Sequence, residues 1–174
     1  MNKIKALIII VTVVLFVSVY SFNSVNKSKT VLGDECKNIN IFEAKKLAGT
    51  IKENITDYSS TTKDIVYAST EGGQQTNFKF KGEDVLIKQI HYGEIGKSEI
   101  DYYFDNRKIF YISKINSEYK LPLSQDPSGQ VEKIEVSEFY LNSDQKVCSW
   151  YLDQKQQEVD KDTNDLIEYL ISTL

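Results

Sequence analysis

The chain has 174 residues, enough for a single domain, and is 41% hydrophobic, 11% aromatic and 26% charged. Eleven tyrosines against two prolines favour β-strands and speak against a disordered chain. The net charge is −4, and the lysines are interleaved with Glu and Asp, so no basic stripe offers itself to nucleic acid.

Met1 to Lys5 carries two lysines, and Ala6 to Val19 is apolar apart from Thr12 and Ser18. A basic start, a short apolar core and small residues make up a secretory leader, with Val19 and Ser21 suited to a cleavage site after Ser21. The other reading is an uncleaved anchor over residues 4–22, at the lower edge of what spans about 30 Å of hydrocarbon. Lys3 and Lys5 keep the N-terminus in the cytoplasm in both cases. The expectation is therefore an exported, bacterial-type protein, periplasmic or extracellular, that meets the membrane only through its N-terminal segment. Residues 1–21 are the leader or anchor, 22–37 a polar tether, and 38–174 one folded domain.

Asn40 with Glu43 three residues on reads as a capping box. Ala44, Leu47, Ala48, Ile51 and Ile55 then form the apolar stripe of a helix. Asp57 to Lys63 reads as a loop, Asp64 to Thr70 as a first strand, and Glu71-Gly72-Gly73 as a turn. Asn77 to Lys81 alternates, with Phe78 and Phe80 inward. Gly82-Glu83-Asp84 turns the chain into a strand from Val85 to Tyr92. There, consecutive Val85, Leu86 and Ile87 imply a bulge or burial on both faces.

Ser98 to Phe104 places Ile100, Tyr102 and Phe104 on one face and Glu99, Asp101 and Tyr103 on the other. A tight turn at Asp105 to Arg107 leads into a return strand from Lys108 to Ile115. Register decides whether Ile109 and Tyr111 or Phe110 and Ile112 face its core. Asn116 to Gln130 holds both prolines and reads as the longest connection. Val131 to Leu141 and Val147 to Leu152 form a second hairpin, and Asp153 to Lys161 is polar. A last helix is capped by Asp162 or Thr163, with Leu166, Ile167, Leu170, Ile171 and Leu174 along its stripe.

Short turns make neighbouring strands antiparallel. The expected fold class is α+β: an antiparallel β-meander of about six to seven strands, with an N-terminal and a C-terminal amphipathic helix packed on one face. The opposite face, with its Glu, Lys and tyrosine hydroxyls, would then meet water.

Glu71-Gly72-Gly73, Tyr92-Gly93-Glu94, Gly96-Lys97 and Tyr102-Tyr103-Phe104, with Ile109-Phe110 on the return strand, form a pattern. It resembles a loose family of small exported bacterial proteins of unassigned function, over roughly Glu71 to Leu152. The resemblance implies export and an antiparallel sheet, and brings no catalytic or binding residue with it.

No constellation in the chain carries chemistry. His91 is the sole histidine and has no visible partner for acid–base work. No histidine or cysteine spacing suits a transition metal, and Asp101, Asp105 and Asn106 lack the spacing of a calcium loop. Gly72-Gly73 and Gly93 to Gly96 lie between strands, where a phosphate loop would need a following helix. Ser137 and Ser149 lack a nucleophile elbow. No catalytic residue, cofactor or metal is expected.

Cys36 and Cys148 are the only cysteines. Either they bond in an oxidising compartment, or Cys148 is a small buried hydrophobe and Cys36 stays free. The tyrosines, Tyr92, Tyr102, Tyr103, Tyr111, Tyr119, Tyr140 and Tyr151, suit a binding surface or simply the edge of a core. Tyr92, Glu94, Tyr103 and Tyr111 are the candidate partner-binding residues.

The expected function is that of an exported, non-enzymatic protein that binds a protein or an envelope or extracellular polymer. One alternative is a hydrolase of cell-wall or polymer substrate using two of Glu94, Glu99 and Asp101 across one cleft. Another is a structural module of an envelope assembly.

Overall fold

A computed structural model of the chain describes residues 36, 39–66 and 71–174. The leader and nearly all of the tether lie outside these residues, as do 67–70 of the expected first strand. Among the described residues no helix is long and apolar enough to cross a membrane.

Helix α1 spans Ile41–Glu53, and the Asn40 side chain accepts the Glu43 amide at 3.3 Å, as its sequence predicts. A 3-10 turn, Ile55–Asp57, leads into the sheet. The strands are β1 (Ser59–Ile65), β2 (Gly73–Phe80), β3 (Glu83–Gly93), β4 (Gly96–Asp105), β5 (Lys108–Tyr119), β6 (Val131–Leu141), β7 (Val147–Leu152) and β8 (Lys155–Gln157). Helix α2, Lys161–Ser172, closes the chain. Its cap is Asp160, which accepts the Thr163 amide and hydroxyl, rather than Asp162 or Thr163.

Among the described residues, eight strands lie in sequence order, and every neighbouring pair is antiparallel. This is the expected α+β meander, with more strands than expected. Three hairpin turns, Lys81-Gly82, Asn106-Arg107 and Asp153-Gln154, hold both residues at positive φ, the twist that a two-residue hairpin loop needs.

Several expected boundaries shift. Asp57 to Lys63, read as a loop, contributes most of β1. This strand is exposed along nearly its whole length, so it carries no apolar alternation to announce it. Asn116 to Tyr119 extends β5 rather than starting the long connection, and the polar run after Asp153 contains β8. Phe80, expected inward, is half exposed at the end of β2.

The two helices do not share a face. Leu86, Tyr103, Tyr111 and Tyr140 are mutual ladder partners and cluster with Ala48 and Ile51 of α1. Ile87, Tyr102, Ile112 and Phe139, each the chain neighbour of one of these, are also ladder partners and cluster with Ile167 and Leu170 of α2. Consecutive residues of a strand point to opposite faces, so the sheet is sandwiched between one helix on each side. The expectation of two helices on one face and water on the other is corrected accordingly.

Bulges complete the picture. Phe78 pairs with Leu86 but Lys79 with Asp84, leaving Val85 as the extra residue. Tyr103 pairs with Tyr111 but Phe104 with Ile109, leaving Phe110 as the extra residue. Ile109 and Ile112 therefore join the α2 face while Tyr111 joins the α1 face, a pairing that neither expected register contains.

Candidate functional site

The middle strands outrun both helices. On the α1 face, Tyr103 and Tyr111 lie 3% and 7% exposed beneath the helix. Their ring centroids are 5.3 Å apart, and Tyr140 follows at 5.0 Å from Tyr111. Their hydroxyls need acceptors once buried. Tyr103 donates to Asp101 Oδ2 at 3.3 Å and Tyr111 to Glu138 Oε1 at 2.7 Å. Lys45 of α1 reaches the other Glu138 oxygen at 2.9 Å and so pins the helix to this row. Burial holds both tyrosine hydroxyls well above their ordinary pKa and pushes that of Tyr140 up to about 12. Tyr103 and Tyr111, two of the candidate partner-binding residues, are core residues and present almost no surface to a partner.

Beyond α1 on the same face come the rows Ile90, Glu99, Ile115, Val136 and Tyr92, Lys97, Ser117, Ile134. Tyr92 is about one-third exposed, and Ile134 is 59% exposed. Ile95 at the tip of the β3–β4 hairpin and Val131 at the start of β6 are exposed too. The tip is braced by the following loop. Ser124 N donates to Glu94 Oε1 at 2.8 Å and Leu123 N to the Glu94 carbonyl at 2.9 Å. Hydrogen bonding from the Ser124 side chain, and then from its amide, lowers the Glu94 pKa below the usual carboxylate value. Tyr92 and Glu94 therefore sit together at the uncovered end, while Tyr103 and Tyr111 sit apart under α1.

On the α2 face the uncovered end is a recess of about 500 Å³. Its rows are His91, Ser98, Asn116, Glu135 and then Gly93, Gly96, Glu118, Lys133. Gly93 and Gly96 face each other across the hairpin and leave the floor without side chains. A Cβ on Gly96 would run into the Ser117 carbonyl of β5, so close approach of the strands requires glycine there.

Behind the recess a buried amide chain runs from Gln75 to His91. Gln89, 1% exposed, donates to Gln75 Oε1 at 3.0 Å and accepts from Tyr102 at 3.2 Å. His91 Nε2 lies 3.3 Å from Gln89 Oε1. A carbonyl oxygen cannot donate, so Nε2 carries the proton and Nδ1 is a bare lone pair. Among the described residues, that atom and Ser98 Oγ are buried without a partner. Burial, and then the charge of Lys114, lower the His91 pKa below 6.5.

The carboxylates expected for a hydrolase are each engaged on their own. Glu94 is held by Ser124, Glu99 pairs with Lys97 at 2.5 Å, and Asp101 lies 3.8 Å from Lys88. Burial raises the Asp101 pKa. Among the described residues no group of three His, Cys, Asp or Glu side chains is placed to hold a metal ion.

Cys36 and Cys148 are bonded, with their Cα atoms 5.4 Å apart. Cys148 is the residue that the β6–β7 bulge leaves unpaired, since Tyr140 pairs with Ser149 and Leu141 with Val147. Sequence reasoning missed Ile95, Val131 and Ile134. The available signal was length: β6 runs eleven residues against six in β7, so part of β6 has no partner on that side.

No family model, curated protein or solved structure matches this chain.

Proposed function

We propose that this is an exported, non-enzymatic protein that binds a protein partner on the half of its sheet that neither helix covers. The observation that carries the reading is the gathering of Tyr92, Ile95, Val131 and Ile134 at that end, all exposed and all on or beside strands of the sheet. A cluster of exposed apolar and aromatic side chains is what a docking surface needs. The Cys36–Cys148 bond supports the export reading, because such bonds persist in oxidising compartments. The leader pattern of residues 1–21 and the likeness to small exported proteins support it as well.

The test is site-specific photo-crosslinking in the organism of origin. A crosslinker at Ile134 or Ile95 should give one reproducible protein adduct in the exported fraction. One at Tyr169, exposed on α2 at the covered end, should not. Adducts no richer at Ile134 and Ile95 than at Tyr169 would remove the reading.

A further inference from the structure

The sheet has two outer edges, and they differ. On one side β8 is three residues long, too short to template another strand. On the other, β1 runs seven residues, exposed along its length except for half-buried Ile65. It contains no proline, and its pairing with β2 has no bulge. Among the described residues nothing pairs with its outer side. Natural edges are blunted by shortness, proline, bulges or inward charges. β8 uses the first of these, and β1 uses none beyond its two adjacent charges, Lys63 and Asp64.

We propose that β1 pairs antiparallel with β1 of a second copy, about a two-fold axis through Thr62, so that two sheets join into one. The strand's own residues argue for a second copy as the occupant. Ser60, Thr62 and Asp64 lie on one face, and Ser59, Thr61, Lys63 and Ile65 on the other, as their β2 partners require. A two-fold axis perpendicular to the sheet keeps each face on its own side, so odd residues oppose odd and even oppose even. With the axis at Thr62 all seven residues find partners: Ser60 faces Asp64, Thr62 faces Thr62, Thr61 faces Lys63 and Ser59 faces Ile65. Hydroxyl-to-carboxylate and Thr–Thr pairs are favourable across strands. Moving the axis by one residue sets Lys63 against Lys63, and by two sets Asp64 against Asp64, both unfavourable. Moving it the other way leaves strand residues unpaired. The contact is isologous and closes on itself, and one strand pair makes it weak and concentration-dependent. This inference is independent of the partner proposed for the uncovered end.

Sedimentation equilibrium of the full chain, in density-matched non-ionic detergent for the apolar leader, tests it with two lysine substitutions. Ser60→Lys sets an amine against Asp64 twice across the axis and should tighten the dimer roughly tenfold. Thr62→Lys sets two amines against each other and should weaken it by a similar factor. Both positions are exposed, so unchanged melting will show that the fold is intact. Opposite shifts from the same added charge support this register. A chain that stays monomeric at about 1 mM overturns the proposal. So does a dimer indifferent to both changes, which places the contact in the leader or another surface, and so does equal weakening by both.

Discussion

His91 is held in one tautomer by Gln89, and its second nitrogen is buried with no acceptor among the described residues. Protonating that nitrogen would create a buried donor without a partner beside the charge of Lys114, which is why the folded chain resists it. The unfolded chain does not. Above pH 6.5 both states hold neutral imidazole and the group is indifferent. As pH falls below that value the unfolded state binds a proton that the folded state declines, so stability drops. The chain has a single histidine, which makes the effect readable between about pH 7 and pH 5, before carboxylates titrate. Urea unfolding across that window should show a fall in stability that His91→Gln largely removes, because glutamine retains a donor for Gln89 and has no charge to gain. An unchanged slope in the variant would assign the fall elsewhere. In the sequence the histidine was visible but its setting was not. Its partner Gln89 and the next amide along, Gln75, are 1% and 3% exposed, and glutamines in a strand ordinarily read as surface. Only the ladder reveals that they bond to each other.

The order of helix, strands and helix was legible, because short glycine and asparagine turns between β-rich runs leave little choice but antiparallel neighbours. The side taken by each helix was not. The sign lay in adjacent large residues: Leu86-Ile87, Tyr102-Tyr103, Tyr111-Ile112 and Phe139-Tyr140 each place one side chain on either face. A strand with one wet face cannot afford that pattern, whereas one buried on both faces requires it. The tyrosine hydroxyls concealed it, since a face carrying Tyr103 suits water until Asp101 and Glu138 supply acceptors for Tyr103 and Tyr111 beneath α1. The arrangement has a thermodynamic consequence. Ile51 and Ile167, 5% and 1% exposed, anchor the two helices in separate clusters with the sheet between them. Ile51→Val and Ile167→Val should each cost about 0.5 to 1.5 kcal/mol. The double variant should lose the sum within about 0.5 kcal/mol, as sites without shared partners do. Chemical denaturation of the four proteins measures it, and a coupling above about 1 kcal/mol would mean that the helices communicate through the sheet.

Among the described residues every strand pairs with its neighbour in sequence, so the sheet needs no crossover connection to assemble. The termini are different. α1 buries only Ala48 and Ile51 fully, and besides this packing it is fixed by the Lys45–Glu138 pair and, ahead of its cap, by the bond from Cys36 to Cys148 across 112 residues. The ion pair is half exposed on its lysine side and contributes little. Closing a loop of that length restricts the unfolded chain by about 4 to 5 kcal/mol in the chain-entropy account. Replacing both cysteines by serine should therefore lower the melting temperature by roughly 10 to 15 °C. The loss will not be even. The sheet keeps its ladder and its α2 side, while α1 loses the tether at its N-terminal end. Hydrogen exchange read by mass spectrometry should show residues 41–53 exchanging much faster in the double variant, while 98–104 and 109–112, in the central strands on either side of an exposed turn, remain protected. Uniform acceleration over both segments would mean instead that the bond stabilises the domain as one cooperative unit, with α1 no weaker than the strands beneath it.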